Sequence, residues 1–296
     1  MPTITLKTQH LQCEIRPDLG GCIAGLWHND TPVLRSTKGD DLQTVRQCAS
    51  FPMVPYSNRQ AFAKMQWQGQ THELTPNFDP EPHAIHGAGW DRPWQVAGST
   101  ATQVNLQLQH SPDARWPFAF EATQIISLQD DALTMQMSVT NTSQTDAPVG
   151  LGWHPYFAKH SPDHIAFTTQ GRWEMSTDKL PTSRLPNSGL TQDCAGLSVD
   201  HCFDGWSGAL ALRNARFEIN VTSDLPYLVV FTRPDRDNIA IEPVSHVNNA
   251  LNLLAAGTAT ADALGVRVLR SGETFGAQMR IHVRTSVPSQ VQSSYA

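Results

Sequence analysis

The feature that most constrains this 296-residue chain is a two-residue hydrophobic period that runs from one end to the other. Apolar side chains alternate with polar ones at Ile4 and Leu6, at Leu11, Cys13 and Ile15, and at Val104, Leu106 and Leu108. Successive side chains of an extended chain point to opposite faces, so this spacing makes one apolar face per strand and no stripe on a helix. The runs over 119–128 and 133–139 flank Asp130-Asp131, a turn-forming pair, and predict two strands of one hairpin. Further strands are predicted over 210–212, 217–221, 227–232, 239–241, 266–269 and 277–283, about a dozen in all. That number predicts an all-β fold, a sandwich of large sheets.

Helical periodicity is scarce. The segment 248–256 is the best candidate, and 38–47 and 155–162 each have room for a turn or two. The Pro- and Gly-bearing stretches 75–94 and 180–196 read as long functional loops rather than interdomain linkers. A chain of this length can bury about three quarters of its extended surface, enough for one large core. We therefore expect a single domain over 1–285 and a flexible tail, rich in Ser and Gln, over 286–296.

Charge narrows the function classes. With 21 Lys plus Arg against 27 Asp plus Glu the net charge is −6, which gives no phosphate-seeking basic face and argues against nucleic acid. No apolar run approaches the roughly 18 residues of a membrane span, and the N-terminal stretch lacks the pattern of a signal peptide. Cys13, Cys22, Cys48, Cys194 and Cys202 form no CxxC pair and no zinc spacing, so reduced thiols, a cytoplasmic setting and no metal are expected. Walker, GxGxxG and GxSxG motifs are absent, and no cofactor is expected.

Polar residues gather with aromatics in a few islands. Tyr56-Ser57-Asn58-Arg59 ends in a guanidinium able to reach sugar hydroxyls or an anion, or else to make a surface ion pair. His83-Ala84-Ile85-His86-Gly87-Ala88-Gly89-Trp90 sets two histidines among small residues, with His83 the better fit to a structural role. Gly152-Trp153-His154-Pro155-Tyr156-Phe157 offers a His able to move a proton near neutral pH, or a core histidine bonded to backbone. Ile239-Ala240-Ile241-Glu242-Pro243 runs an apolar strand into a carboxylate, which must either find a partner such as Arg233 or Arg236 or act as a base. Asp200-His201-Cys202-Phe203-Asp204-Gly205-Trp206 adds two acids that can hold hydroxyls. Trp90, Trp153 and Trp206 are either faces for a sugar ring or core residues. His, Glu and Arg among aromatics form a kit for proton transfer on a polyhydroxylated ligand.

In this order Asn58-Arg59, His86-Gly87, Trp153-His154-Pro155-Tyr156-Phe157, Asp200-His201-Cys202-Phe203 and Glu242-Pro243 resemble the aldose 1-epimerase (mutarotase) family. The resemblance implies a galactose mutarotase-like β-sandwich, of the supersandwich type, with a sugar cleft across one sheet. It implies Glu242 as the base that takes the anomeric proton, His154 as the acid at the ring oxygen, and His86 as a donor beside both. Arg59 and Asp200 match residues that hold sugar hydroxyls. Free-solution pKa values would let ionised Glu and protonated His coexist around pH 5–6. Trp153 stands where the best-known galactose mutarotases carry Asn, and the chain is shorter, so the substrate is open. Branches of the family take free hexoses, hexose 6-phosphates or sulfoquinovose. Arg59, Lys64, Arg92 and Arg236 are the candidates to meet an anionic substituent. A carbohydrate-binding protein without turnover is the rival reading, and a lyase or glycosidase would pair Glu242 with Asp200 or Asp204. The expected partner is a small-molecule sugar, and the expected state is a monomer or homodimer.

Overall fold

Two large antiparallel sheets carry most of the chain. The structure is a computed structural model and describes residues 2–161 and 163–286. A nine-stranded sheet runs, in spatial order, Gln95–Ser99, Gln103–His110, Phe120–Gln129, Ala132–Asn141, Thr274–Thr285, Phe217–Ser223, Ala209–Arg213, His164–Phe167 and Leu190–Asp193. The hairpin predicted at Asp130 is present, with Gln129 facing Ala132 and Asp130 at φ 50°, a left-handed conformation that Asp tolerates better than most residues. Thr274–Thr285 pairs with Ala132–Asn141 on one side and Phe217–Ser223 on the other, so a late strand closes the centre of the sheet.

The second sheet has eight strands: Pro181–Pro186, Gly171–Met175, Val199–Asp204, Tyr227–Thr232, Asn238–Val244, Gly152–Trp153 and Pro52–Met53, with Tyr156–Ala158 also paired to Asn238–Val244. Alternation sorts its two faces. Leu228, Val230, Ile239 and Ile241 join a core that draws side chains from Leu6 to Val283. Burying each such side chain stabilises the fold by about 1.5–3 kcal/mol. Val229, Phe231, Asp200 and Glu242 line a cleft on the sheet.

The helix expected over 248–256 is Ala250–Ala255. A second, Ala261–Leu264, begins where Thr260 Oγ1 accepts the Ala263 amide and ends at Gly265, φ 70°; four residues are too few to show a helical period in sequence. Two short 3-10 turns, Gly39–Asp41 and Val45–Gln47, fill the 38–47 segment. Two expectations need correction. The 155–162 segment holds the strand Tyr156–Ala158 instead of a helical turn, and 180–196 holds two edge strands, Pro181–Pro186 and Leu190–Asp193, instead of one long loop. Strands also outnumber the dozen expected, because two- and three-residue strands are too short to alternate visibly. Of the tail expected over 286–296, Ser286 is held by bonds to the Arg216 and Asn214 carbonyls, and 287–296 lie outside the described residues. No helix of the described residues is long and apolar enough to cross a membrane.

Candidate active site

Glu242 and His154 meet because of strand register. Gly152 pairs with Val244 and Tyr156 with Ala240, and the same register sets His154 opposite Glu242 at the break between Gly152–Trp153 and Tyr156–Ala158. Pro155 and Pro243, each adjacent to one of the pair, lack the N–H that would continue the ladder there. Gly152 permits close approach, since a Cβ on it would lie 2.8 Å from the Val244 side chain and 2.9 Å from the Pro243 carbonyl. The outcome is a contact of 3.2 Å between His154 Nε2 and Glu242 Oε1, with the two residues only 8% and 2% exposed.

Burial governs the charge of this pair. Desolvation, with the Arg35 charge adding to it, brings the His154 pKa down to about 3. Desolvation, helped by the nearby Asp200 carboxylate, pushes Glu242 well above the usual carboxylate range. Burial thus disfavours the ionised pair expected around pH 5–6. His154 is packed between Phe51 and Tyr156, with ring centroids at 4.6 and 4.5 Å. Among the described residues Glu242 Oε2 and His154 Nδ1 have no hydrogen-bond partner although both are buried. Orphaned buried polar atoms are costly, so these two add strain to the pair rather than stability.

His86 is held by a reciprocal clamp. Its amide donates to the Asn58 carbonyl at 2.9 Å, and the Asn58 amide donates to His86 Nδ1 at 3.2 Å. Both residues have left-handed backbones, at φ 61° and 55°. With Nδ1 accepting, neutral His86 carries its proton on Nε2 and can donate it to a ligand. Burial, then the neighbouring His154 and Arg59, keeps its pKa well below the usual value. Its ring lies 5.2 Å from that of His154.

These side chains share a cleft of about 800 Å³ with Asn58, Arg59, Asp200 and several cations. Arg59 donates through Nε and Nη2 to Glu81, at 3.2 Å each, and through Nη1 to Asn58 Oδ1 at 3.1 Å. Lys179 also bonds Glu81, and the Glu81 pKa is brought down to about 2, the two cations outweighing the effect of burial. Arg59 is therefore both an ion-pair residue and a cleft residue. Burial raises the Asp200 pKa, and its carboxyl makes no hydrogen bond among the described residues. Arg236 also lines the cleft, its guanidinium 4.9 Å from the Phe231 ring centroid and its buried Nε without a hydrogen-bond partner among the described residues.

Several candidates fall elsewhere. Trp90, Trp153 and Trp206 are core side chains, 2%, 0% and 6% exposed, and do not line the cleft. Aromatic character there comes from Phe78, Tyr156 and Phe231. Trp90 backs the site at one remove, its ring 6.1 Å from that of His86. Lys64 pairs with Glu73 and Arg92 with Asp113, both away from the cleft lining. Asp204 is fixed by two bonds from Arg184 and does not line the cleft, which removes it as a second catalytic carboxylate. His83 uses both ring nitrogens, with the Phe62 amide and the Asp178 carbonyl, a structural role. Arg35, Arg46, Glu81 and Lys179 were missed because each stands in a stretch without apolar rhythm or a second polar aromatic neighbour. Among the described residues no group of three or more His, Cys, Asp and Glu is placed to hold a metal ion.

Comparison with known proteins gives the family and the fold. A family model described as aldose 1-epimerase matches residues 2–282. The uncharacterized protein YphB of Escherichia coli K12 is 29% identical over 293 residues, covering 90% of this chain and 99% of YphB. A crystal structure of a candidate aldose 1-epimerase from Escherichia coli K12 superposes with a TM-score of 0.85 at 25% identity, covering 96% of this chain and 99% of that one. A galactose mutarotase-like protein from Clostridium acetobutylicum shares the fold with a TM-score of 0.83 at 16% identity, over 96% of this chain and 95% of its own.

Proposed function

Since the chain belongs to the aldose 1-epimerase family, we propose that it interconverts the α and β anomers of a hexose or hexose derivative, with Glu242 and His154 as the acid–base pair. The observation that carries this reading is the 3.2 Å contact between the two groups at the floor of the cleft. Ring opening must remove a proton from the anomeric oxygen and deliver one to the ring oxygen, and both oxygens are borne by the same carbon. Two groups this close can address both at once.

The proton inventory is simple. Glu242 as carboxylate takes the anomeric proton while His154 as imidazolium gives its proton to the ring oxygen. The sugar opens to the aldehyde, and the pair becomes neutral acid and neutral imidazole. Rotation about the bond next to the aldehyde, followed by the reverse transfers, closes the other anomer and restores the pair. Burial makes the imidazolium a stronger acid and the carboxylate a stronger base, so both transfers from the charged form are easier than they would be between the same groups in water. His86, donating from Nε2, and Arg59, Asn58 and Asp200 hold the sugar. Polarimetry of a freshly dissolved anomer tests this: Glu242→Gln and His154→Asn should each lower the enzymatic rate by about 100-fold or more. Wild-type rates in Glu242→Gln would refute the pair. Sugar binding by the wild-type protein without acceleration would favour the non-catalytic binding reading.

A second reading has one specific observation behind it: Arg236 lines the cleft and makes no ion pair among the described residues, so its guanidinium is suited to an anionic substituent on the sugar, such as a sulfonate or a phosphate. A preference for the anionic sugar that disappears in Arg236→Gln would establish it, and equal kcat/KM for neutral and anionic sugars would dismiss it.

A further inference from the structure

Arg35 does not contribute an obvious catalytic group, yet it is tied to the site by its side chain and by its backbone. Its guanidinium lies 3.8 Å from the Tyr156 ring centroid. Nε donates to the Cys48 carbonyl at 3.1 Å, and Nη2 to the carbonyls of Cys48 and Arg46 at 2.5 and 3.0 Å. The Arg35 amide donates to the Tyr156 carbonyl at 2.6 Å. Tyr156 packs on His154, His154 packs on Phe51, and the His154 amide donates to the Phe51 carbonyl at 3.0 Å. These contacts link guanidinium, phenol, imidazole and phenyl in turn, the path bending at His154, since the Phe51 and Tyr156 ring centroids are only 6.4 Å apart.

We infer that Arg35 is a positioning residue for proton transfer, clamping Tyr156 so that the His154 imidazole faces Glu242 and keeping an uncompensated positive charge close to that imidazole. The inference rests on the acid–base reading of Glu242 and His154. The groups that act on His154 are Glu242 at 3.2 Å, His86 at 5.2 Å between ring centroids, and the charges of Arg35 and Arg59; Arg236 acts on Tyr156, and Asp200 on Glu242. Of the two arginines, Arg59 shares the Glu81 carboxylate with Lys179 and is only partly compensated, whereas among the described residues Arg35 bonds only neutral carbonyls and a ring. Its charge therefore remains available to oppose imidazolium formation, in the direction in which the His154 pKa is moved. A histidine kept neutral until substrate arrives is a stronger acid once it is protonated.

The test is Arg35→Met, which keeps an apolar stem and loses the charge and the carbonyl bonds, beside Arg35→Lys, which keeps the charge and loses the planar fork. The acid limb of the kcat/KM profile and the His154 titration followed by NMR are read in both. In Arg35→Met both should move upward by about half a unit to one unit, with kcat down about tenfold and KM for a neutral sugar changed less than about threefold. In Arg35→Lys the titration should stay near wild type while kcat falls. A lowered melting temperature with an unmoved titration would reduce Arg35 to a structural residue and overturn the inference, as would a rise in KM alone, which would make it a substrate ligand. Should Arg35→Met not fold, an Arg35→Lys titration displaced as far as expected for charge loss overturns it as well. If the wild-type protein accelerated no anomer exchange, the functional reading would fail on its own, since the NMR titration of His154 needs no turnover.

Discussion

One proton shared between Glu242 and His154 decides what the pair can do. Between the depressed pKa of His154, about 3, and the raised pKa of Glu242 the pair holds a single proton, and only that state can both give and take. A second proton on the acid side, or loss of the last on the alkaline side, leaves one role unfilled. The kcat/KM profile should therefore be bell-shaped, with its acid limb below the ordinary histidine range and its alkaline limb above the ordinary carboxylate range. A flat profile from about pH 5 to 9 with an unchanged rate-limiting step would exclude the pair. Stability follows the same shifts. A carboxyl whose folded pKa is raised stabilises the fold fully below its unfolded value, about 4.3, and that contribution is lost as the pH rises through the folded value. Glu242→Gln, which does not titrate, should gain on wild type as the pH rises from about 4, and denaturant unfolding at several pH values checks the sign. The residues proposed to carry this chemistry were legible in sequence for different reasons: Glu242, His154 and His86 interrupt apolar or Gly-rich runs, whereas Asn58, Arg59 and Asp200 stood out beside aromatic residues and by the family resemblance. Arg35 and Glu81 carried no such signal. Neither did the distinction between a tryptophan facing a ligand and one facing the core, which tertiary packing alone decides, and it sends Trp90, Trp153 and Trp206 inward.

Secondary structure places these groups with little slack. The strand Asn238–Val244 presents Glu242, a broken strand opposite presents His154, and a left-handed turn presents His86. That turn depends on Gly87, at φ 79°, where a Cβ would come within 2.2 Å of the Val54 carbonyl oxygen. Gly87→Ala should cost about 1–3 kcal/mol and move His86, read as a lower melting temperature together with a reduced kcat, whereas unchanged stability and rate would mean that the turn can relax. Long strands were legible from alternation: Phe120–Gln129 and Ala132–Asn141 each turn alternate side chains inward. The short segments around the site, Pro52–Met53, Arg59–Gln60, Ala84–Ile85 and Gly152–Trp153, have two residues each, too few for a period, so their pairing was invisible until the long strands fixed their places.

The molecule as a whole is acidic, at −6, while its cleft gathers Arg35, Arg46, Arg59, Lys179, Arg233 and Arg236. Net charge alone gave no hint of this local excess, because composition averages over the surface that the fold divides. If an anionic sugar is the preferred ligand, its kcat/KM should fall as ionic strength rises through the range where the Debye length shrinks from about 30 to 8 Å, while that of a neutral sugar stays level. Equal slopes for the two would place the cations outside the binding step. Architecture was readable from the strand count and turn chemistry, whereas the order of strands within each sheet depends on contacts distant in sequence, such as Thr274–Thr285 against Ala132–Asn141. The most direct measurement is NMR exchange spectroscopy at anomeric equilibrium, with wild-type protein and Glu242→Gln against glucose, galactose, glucose 6-phosphate and sulfoquinovose. Faster α–β exchange than buffer for at least one sugar, lost in Glu242→Gln, is the expected result; exchange at the buffer rate for sugars shown to bind would contradict an epimerase.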